Sequence, residues 1–486
     1  MQCAVARLDA PSTVVPGWSD RRAWLRGFRR LVAAQGAELA RLVALEVGKS
    51  EGEAFVSEVL PLIAAIRWHE RRAAAVLRGR RAGGRPAWLL GRELRTARAP
   101  LGRVLIVATW NYPIGLLGVQ LVQALAAGNR VTVKPSERSP RSQRMLLRLA
   151  ASSGVPAGWI SAADAGRDEG ERLVREGGFD HVIFTGSSET GREVAVATGA
   201  GLVSSTLELS GRDTAIVLAD ANARLAAERL WVALTMNAGQ TCMAPKRVLV
   251  DRSIYRDFLD ALAPLAAAAR PVRLVMAGEA SRCVALARDA MQRGARSLSA
   301  IAEAASDGWM RPLAIVDCPT DAELVAGAHF GPAFAVMPVD GLAGALRVHD
   351  AHRHRLATSV YTRSAKRLAR DARFLAALGS SVVTFNETVT PTGHPGASIA
   401  GHGPSGWGAT RGEAGLLALS RPVSVSETAW WTPRAEPPTG AALRALVRLT
   451  AWWNGARGAP RVSSDVAPAS APAPAMAAVP AEEGIR

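Results

Sequence analysis

The sequence predicts an α/β protein built on a parallel, doubly wound sheet, and three observations carry that prediction. Short β-branched runs alternate with single amphipathic or apolar helical runs from about residue 104 onward, the pattern of strands joined by crossover helices. Glycine, proline and asparagine punctuate the joints at spacings that fit such units. The chain is 486 residues long, 49% hydrophobic and 21% charged, enough for a large core and too long for a single one, so two or three domains are expected.

Taken in order, residues 20–80 read as helical, with alanine, leucine and arginine at amphipathic spacing. The alternating segment LLGRELRTARAPLGRV suggests a short hairpin arm over about residues 86–100. Strand VLIVA, helix GVQLVQALAAG, strand VTVKP, helix SQRMLLRLAAS, strand WISAA, helix GERLVREGG, strand HVIFTG and helix TGREVAVATG follow. A second α/β unit begins near Ala215, with AIVLA, RVLVD, LAIVD and SVVTF as strands. The charge-free run from Val104 to Asn129 is long enough to span a membrane, but Asn111, Pro113, Gln120 and Gln123 interrupt it and WNYP reads as a turn. A buried strand, a loop and a buried helix are the better parse. The stretch from Ala456 is Pro/Ala-rich and reads as a disordered tail, and no internal repeat recurs.

Composition narrows the function. The four cysteines, Cys3, Cys242, Cys283 and Cys318, are far apart and form no CxxC, which argues against a disulfide framework or a zinc site and fits a reducing compartment. The opening MQCAVARLDAPSTVVPGWSD lacks the apolar core of a signal peptide, so a cytoplasmic location is expected. The net charge of +17 is mostly arginine scattered through helical stretches such as RRAWLRGFRRL, an arginine-rich solvated surface rather than a specific nucleic-acid site. HDAHRHR (His349, His352, His354) reads likewise as a solvated basic face, not a metal cluster, because its arginines would oppose a cation. Near the end, Leu443, Leu446, Val447 and Thr450 recur at helical spacing opposite Arg444 and Arg448, with Trp452 and Trp453 following. That helix could cap a substrate tunnel or meet a partner subunit, with membrane-surface contact the less favoured alternative.

Four short stretches carry chemistry, and each has a plain structural alternative. In NAGQTCMAPKRV, Cys242 follows a helical run that ends in glycine and could be core, ligand, disulfide half or nucleophile. In HVIFTGSSETGREVA, Gly186 and Gly191 frame a turn between a strand and a helix, where free N–H groups suit a phosphate; a structural turn would look the same. In VTVKPSERSP, Lys134 and Glu137 sit beyond a strand end and could hold ribose hydroxyls, or simply pair with each other. In TLELSGRD, Glu208 stands among apolar residues, a setting that raises a carboxyl group's pKa toward that of a general base.

In the order WNYP, KPSE, FTGSSETGR, ELSG and GQTCMAP, these motifs resemble the aldehyde dehydrogenase superfamily, from about Ser19 to about Leu449. AHFGP at Ala328–Pro332, SVVTFNE near Asn386 and GPSGWGATRG from Gly403 match further landmarks, and the end, WWTPRAEPPTGAALRALVRL, is similar to the class-3 and fatty-aldehyde branch. The resemblance implies a Rossmann-type cofactor domain over 1–208 with the arm at 86–100. It implies a catalytic α/β domain over 209–400 and an oligomerisation strand and C-terminal helix over 401–455, before the tail at 456–486. It implies NAD(P)-dependent oxidation of an aldehyde to its acid through a thioester on Cys242. Asn111 and the Cys242 N–H would hold the oxyanion, and Glu208 would activate water. Lys134 and Glu137 would hold the adenosine ribose, Gly186, Ser187 and Gly191 would face the pyrophosphate, and Trp110, Leu209 and Phe330 would line the cofactor cleft. No metal is implied. The carboxylate of Glu137 favours NAD, with NADP as the alternative, and a homodimer, then a tetramer, is expected. The sequence departs from the family pattern at Ala328, where a glutamate usually anchors the nicotinamide ribose, at Ser210, at Thr109 and at Ser398–Gly401. Those departures leave two rivals: a nucleotide-binding member with lost turnover, or an acylating relative, against which Glu208 speaks.

Overall fold

The computed structural model describes residues 15–302, 307–432 and 437–455. The Pro/Ala-rich tail expected from Ala456 lies outside the described residues. Two compact units divide the described chain, one reaching Gly84 and resuming over Glu93–Ser426, the other formed by Arg85–Arg92 and the residues from Glu427.

The first unit opens with helices α1 (Trp18–Ala34), α2 (Gly36–Val47) and α3 (Leu60–Leu77). Helix α1 buries Trp24, Leu25, Phe28 and Val32, a helical stripe of apolar side chains. Between α2 and α3 the chain makes a wide π turn over Phe55–Val59. Pro61 follows at the start of α3 and has no N–H to give to the carbonyl four residues back, so the ordinary ladder is interrupted there.

The first sheet is laid down by β1 (Arg103–Val107), α4 (Gly115–Ala127), β2 (Arg130–Lys134), α5 (Pro140–Ala151), β3 (Ile160–Ala162), α6 (Arg167–Glu176), β4 (His181–Gly186), α7 (Ser188–Ala200) and β5 (Ser204–Leu209). Its spatial order is β5-β4-β1-β2-β3, all parallel, with Gly406–Trp407 added antiparallel beside β5. The chain leaves β1 toward β2 and leaves β4 toward β5, so a crevice opens between the carboxyl ends of β1 and β4. Every residue of α4 is buried, including Gln120 and Gln123, and Gly128 closes the helix in the left-handed conformation at φ 93°.

A short link, Ser210–Arg212, leads into the second sheet. Its parallel strands are β6 (Asp213–Val217), β7 (Pro245–Asp251), β8 (Leu313–Val316), β9 (Ala333–Val339), β10 (Ala357–Tyr361) and β11 (Val382–Phe385), in the spatial order β8-β9-β7-β6-β10-β11. Helices α8 (Ala223–Thr235), α9 (Tyr255–Ala267), α10 (Ala277–Gln292) and α11 (Gly341–Asp350) accompany them. The sequence reading located four of these strands and passed over AFAVMPV and ATSVY. Both are fully or almost fully buried, and neither alternates polar with apolar residues, so periodicity gives no strand signal in them.

The expected hairpin arm is a strand over Arg92–Pro100 that pairs with Arg80–Arg81 and with Ser420–Thr428, a three-stranded ribbon rather than a self-contained hairpin. In the second unit, α12 (Gly440–Trp453) exposes all its residues, Leu443, Leu446 and Trp453 among them. The charge-free run from Val104 divides into β1, a loop and α4, as the sequence suggests. No helix among the described residues is long and apolar enough to cross a membrane.

One buried ion pair ties the helical entry to the first sheet. Lys49 Nζ lies 2.8 Å from Glu58 Oε1 with both side chains fully buried. Glu58 Oε2 accepts from the N–H groups of Ile114 and Gly115 at 2.9 and 3.0 Å, capping α4. Lys49→Met would leave that carboxylate buried without its cation and is expected to lower stability by about 3–5 kcal/mol in urea unfolding. Adding Glu58→Gln should recover part of the loss, because a neutral amide oxygen can still accept from α4.

Candidate active site

A cleft of about 710 Å³ opens in the first unit. Cys242, Glu208 and Asn111 all line it, together with Trp110, Gly186, Ser187, Leu209 and Phe330. The structure therefore brings together eight of the eleven residues singled out from sequence. Lys134 and Glu137 stand one strand over, at the end of β2, and Gly191 packs beneath the cleft.

Cys242 reaches the cleft through an unusual turn. After α8, Asn237, Ala238 and Gly239 all take left-handed backbone angles, φ 50°, 51° and 71°. Two of the three carry a Cβ and are strained there, so the turn must be held from outside. Asn237 N–H donates to Glu53 at 2.5 Å, and Asn237 Nδ2 donates to the carbonyls of Asn111 at 2.8 Å and Gln240 at 3.1 Å. A Cβ on Gly239 would fall 2.4 Å from the nitrogen of Pro332, so only glycine fits. Lys246 Nζ then joins the carbonyls of Gly239 and Gly331 at 3.1 and 2.8 Å. Its ammonium is desolvated enough to bring its pKa down to about 8.

Asn111 sits in the loop between β1 and α4. Thr109 Oγ1 donates to its Oδ1 at 3.0 Å, which orients the amide, and Nδ2 donates to Gln240 O at 3.1 Å. Thr109 thus gives the loop a hydrogen bond that a proline could not. The carbonyl of Asn111 receives Lys49 Nζ at 3.2 Å as well as Asn237.

Glu208 ends β5 and is only 8% exposed. One carboxylate oxygen accepts from Thr410; the other lies 3.4 Å from both Gln120 Nε2 and Thr185 Oγ1. Burial pushes its carboxyl pKa upward against these hydrogen bonds and the charge of Arg411. Cys242 opens partly to the cleft, yet protein packs close round its sulfur. Desolvation first, then the charges of Glu208 and Asp213, push its thiol up to about 12, opposed by Arg411. A thiol, an amide donor and a buried base in one cleft can add to a carbonyl carbon and later activate water there.

The other wall suits a phosphate-bearing ligand. Ser187 caps α7 by accepting from Thr190 N at 3.2 Å, which leaves first-turn N–H groups beside Gly186. A Cβ on Gly186 would lie 2.5 Å from the Phe184 ring of its own strand, and one on Gly191 would lie 2.4 Å from Leu209, so Gly191 sets how closely α7 approaches the sheet. Trp110 and Phe330 meet edge to face, centroids 5.7 Å apart. Lys134 Nζ pairs with Glu137 at 3.1 Å.

The histidine run corrects the sequence reading. It is no solvated face: α11 ends at Asp350, His349 is fully buried with Nε2 2.7 Å from Leu378 O, and His354 lines the cleft. Ala328 is exposed on the cleft, whereas His329 beside it is buried with its pKa held well below the usual range by desolvation and the nearby cations, Lys246 foremost. Sequence reasoning passed over Lys49, Glu53, Glu58, Thr410 and Glu279, whose carboxylate accepts from Phe330 N at 2.9 Å. Apart from the Lys49–Glu58 pair, nine residues apart, the partners that matter here lie 51 to 202 residues away in the chain, so no local pattern marks them.

The profile of the aldehyde dehydrogenase family matches residues 6–425. The chain is 30% identical to the NADP/NAD-dependent aldehyde dehydrogenase PuuC of Escherichia coli (strain K12), over 76% of each protein. It is 28% identical to a 4,4'-diapolycopene aldehyde oxidase of Methylomonas sp, over 79% of this chain and 73% of that one. It superposes on the NAD+ complex of an aldehyde dehydrogenase from Bacillus cereus with a TM-score of 0.80, at 24% identity and 86% coverage of each chain.

The competing charges round the thiol have a measurable sign. Because the Glu208 carboxylate is second only to desolvation in opposing the Cys242 thiolate, Glu208→Gln should lower the pH midpoint for iodoacetamide labelling of Cys242. Labelling at mildly alkaline pH should then be faster than in the parent, read by mass spectrometry of the Cys242 peptide.

Proposed function

The chain belongs to the aldehyde dehydrogenase family and is an NAD(P)-dependent aldehyde dehydrogenase, and from that premise we propose that Cys242, Asn111 and Glu208 carry its chemistry. The observation that supports this reading most is that all three face one cleft.

In this mechanism the Cys242 thiolate attacks the aldehyde carbon, forming a C–S bond while the carbonyl π electrons move onto oxygen. The second amide hydrogen of Asn111 and the Cys242 N–H steady that oxyanion, each donor contributing roughly 2–4 kcal/mol to the transition state. NAD(P)+, when bound, would supply the hydride acceptor, so that the adduct on Cys242 can lose hydride and its C=O re-form as a thioester. Glu208 then removes a proton from water. The hydroxide adds to the thioester carbon, the C–S bond breaks, and the acid departs with the thiolate restored.

Gly186, Ser187 and the start of α7 suit the pyrophosphate, and Trp110, Leu209 and Phe330 would flank the cofactor. Lys134 and Glu137 would hold the adenosine ribose, where the carboxylate accepts from hydroxyls and repels a 2′-phosphate, favouring NAD over NADP. Glu279, beside Phe330, would supply near the nicotinamide the carboxylate that Ala328 lacks. Residues 1–208 would form the cofactor domain and 209–400 the catalytic one. Homodimers or tetramers in the cytoplasm are the assembly and place this reading carries.

The substrate wall is apolar: Leu62, Ala65, Leu116, Val119, Met243 and Ile399 line the cleft with Cys242. Such a wall suits an aryl or long polyene aldehyde better than a short polar one.

The direct test follows NADH or NADPH formation with aliphatic, aromatic and polyene aldehydes. Cys242→Ala should abolish turnover, and Asn111→Ala should lower kcat by roughly 100- to 1,000-fold. Glu208→Gln should give one burst of reduced cofactor and then stall with an acyl group on Cys242, visible by mass. A parent protein that binds NAD but reduces it with no aldehyde would overturn the assignment. Separately, Glu137→Gln should narrow the preference for NAD over NADP, read as the ratio of their kcat/KM values.

A further inference from the structure

Arg411 has a backbone that arginine avoids. It stands at φ 60° and ψ 167°, a region that is essentially glycine's because a Cβ clashes there. Gly412 follows in the left-handed conformation at φ 54°. The constraint that holds this turn comes from the buried helix α4: Gln123 Oε1 accepts from Arg411 N–H at 3.1 Å, and Gln123 Nε2 donates to Gly412 O at 3.2 Å. One turn earlier on the same helix, Gln120 reaches Glu208. The two glutamines that break the apolar run therefore serve the base and the turn beside it.

A glycine at 411 would satisfy this backbone without strain, yet the position carries a cation. Its side chain lines the cleft with Cys242 and Glu208, and its neighbour Thr410 donates to Glu208. The charged and titratable groups acting round Cys242 come from several elements. Glu208 on β5 and Asp213 on β6 oppose a thiolate, and Arg411 favours one. Lys246 on β7, a second cation coupled to Cys242, is tied up behind the loop by the carbonyls of Gly239 and Gly331, and Tyr112 bonds Thr241 at 2.7 Å.

Resting on the reading of Cys242 as nucleophile, we propose that Arg411 is a cleft-facing cation that stabilises the Cys242 thiolate, and that Gln123 is the positioning residue that holds it in place. The thiolate is the form that attacks, so a cation there raises the fraction of enzyme ready to react.

The test compares the parent with Arg411→Gly, Arg411→Lys and Gln123→Met, following the pH midpoint of iodoacetamide labelling at Cys242, kcat/KM and thermal unfolding. Arg411→Gly relieves the backbone and should unfold no earlier than the parent. Its labelling midpoint should rise by about one pH unit, with kcat/KM near neutrality falling about tenfold. Arg411→Lys, which keeps the charge, should sit close to the parent, and Gln123→Met should shift the midpoint the same way as Arg411→Gly by a smaller amount. An unmoved midpoint in Arg411→Gly, or equal shifts with glycine and lysine, overturns the proposal. Labelling reports the charge effect whether or not Cys242 is the nucleophile. Full activity in Cys242→Ala would instead sink the mechanistic reading and leave the labelling result standing.

Discussion

The carbonyl oxygen of Asn111 is the point on which the site depends. It receives Lys49 from the helical entry and Asn237 from the turn before Cys242, so the helical entry and the nucleophile loop of the second sheet both bond to one carbonyl of the first sheet's donor loop. Glu53 and Glu58, five residues apart on the same entry segment, fasten the two loops separately, one at Asn237 N–H and the other at the start of α4. The left-handed run from Asn237 to Gly239 is tolerated because these bonds and the close contact with Pro332 over-determine it.

Electrostatics at the centre are balanced against the reactive forms rather than for them. Burial raises both the Glu208 carboxyl and the Cys242 thiol, and the anionic form of each opposes the other. Burial and that conflict raise the carboxyl's proton affinity, which suits a base that takes a proton from water, but they leave the thiol needing help. The glutamines of α4 matter here because a helix buried on every side has no other polar groups to offer. Gln120 and Gln123 convert a packing element into a support for Glu208 and for the turn that carries Arg411.

Much of the layout was legible because its causes are local. Strands such as VLIVA and HVIFTG declare themselves by β-branched runs, and Gly128 ends α4 where the apolar run stops. The motif residues were legible one by one, each with an innocent alternative, and gained weight only from their order along the chain. The histidine run misled because its sequence is polar, whereas packing of α11 against Leu378 buries His349. Glu279 and Thr410 gave no signal, since a surface glutamate and a threonine near a glycine turn look ordinary until Phe330 and Glu208 arrive beside them.

Residue order and type decided the α/β alternation, the buried character of α4 and the chemistry available at Cys242, Glu208 and Asn111, because periodicity and functional groups are written residue by residue. Tertiary structure alone decided which charges face the thiol and which carbonyl joins the two loops. It also decided that an arginine occupies a glycine's backbone. Each of those depends on contacts between segments far apart in the chain, and such contacts exist only once both sheets have closed round the cleft.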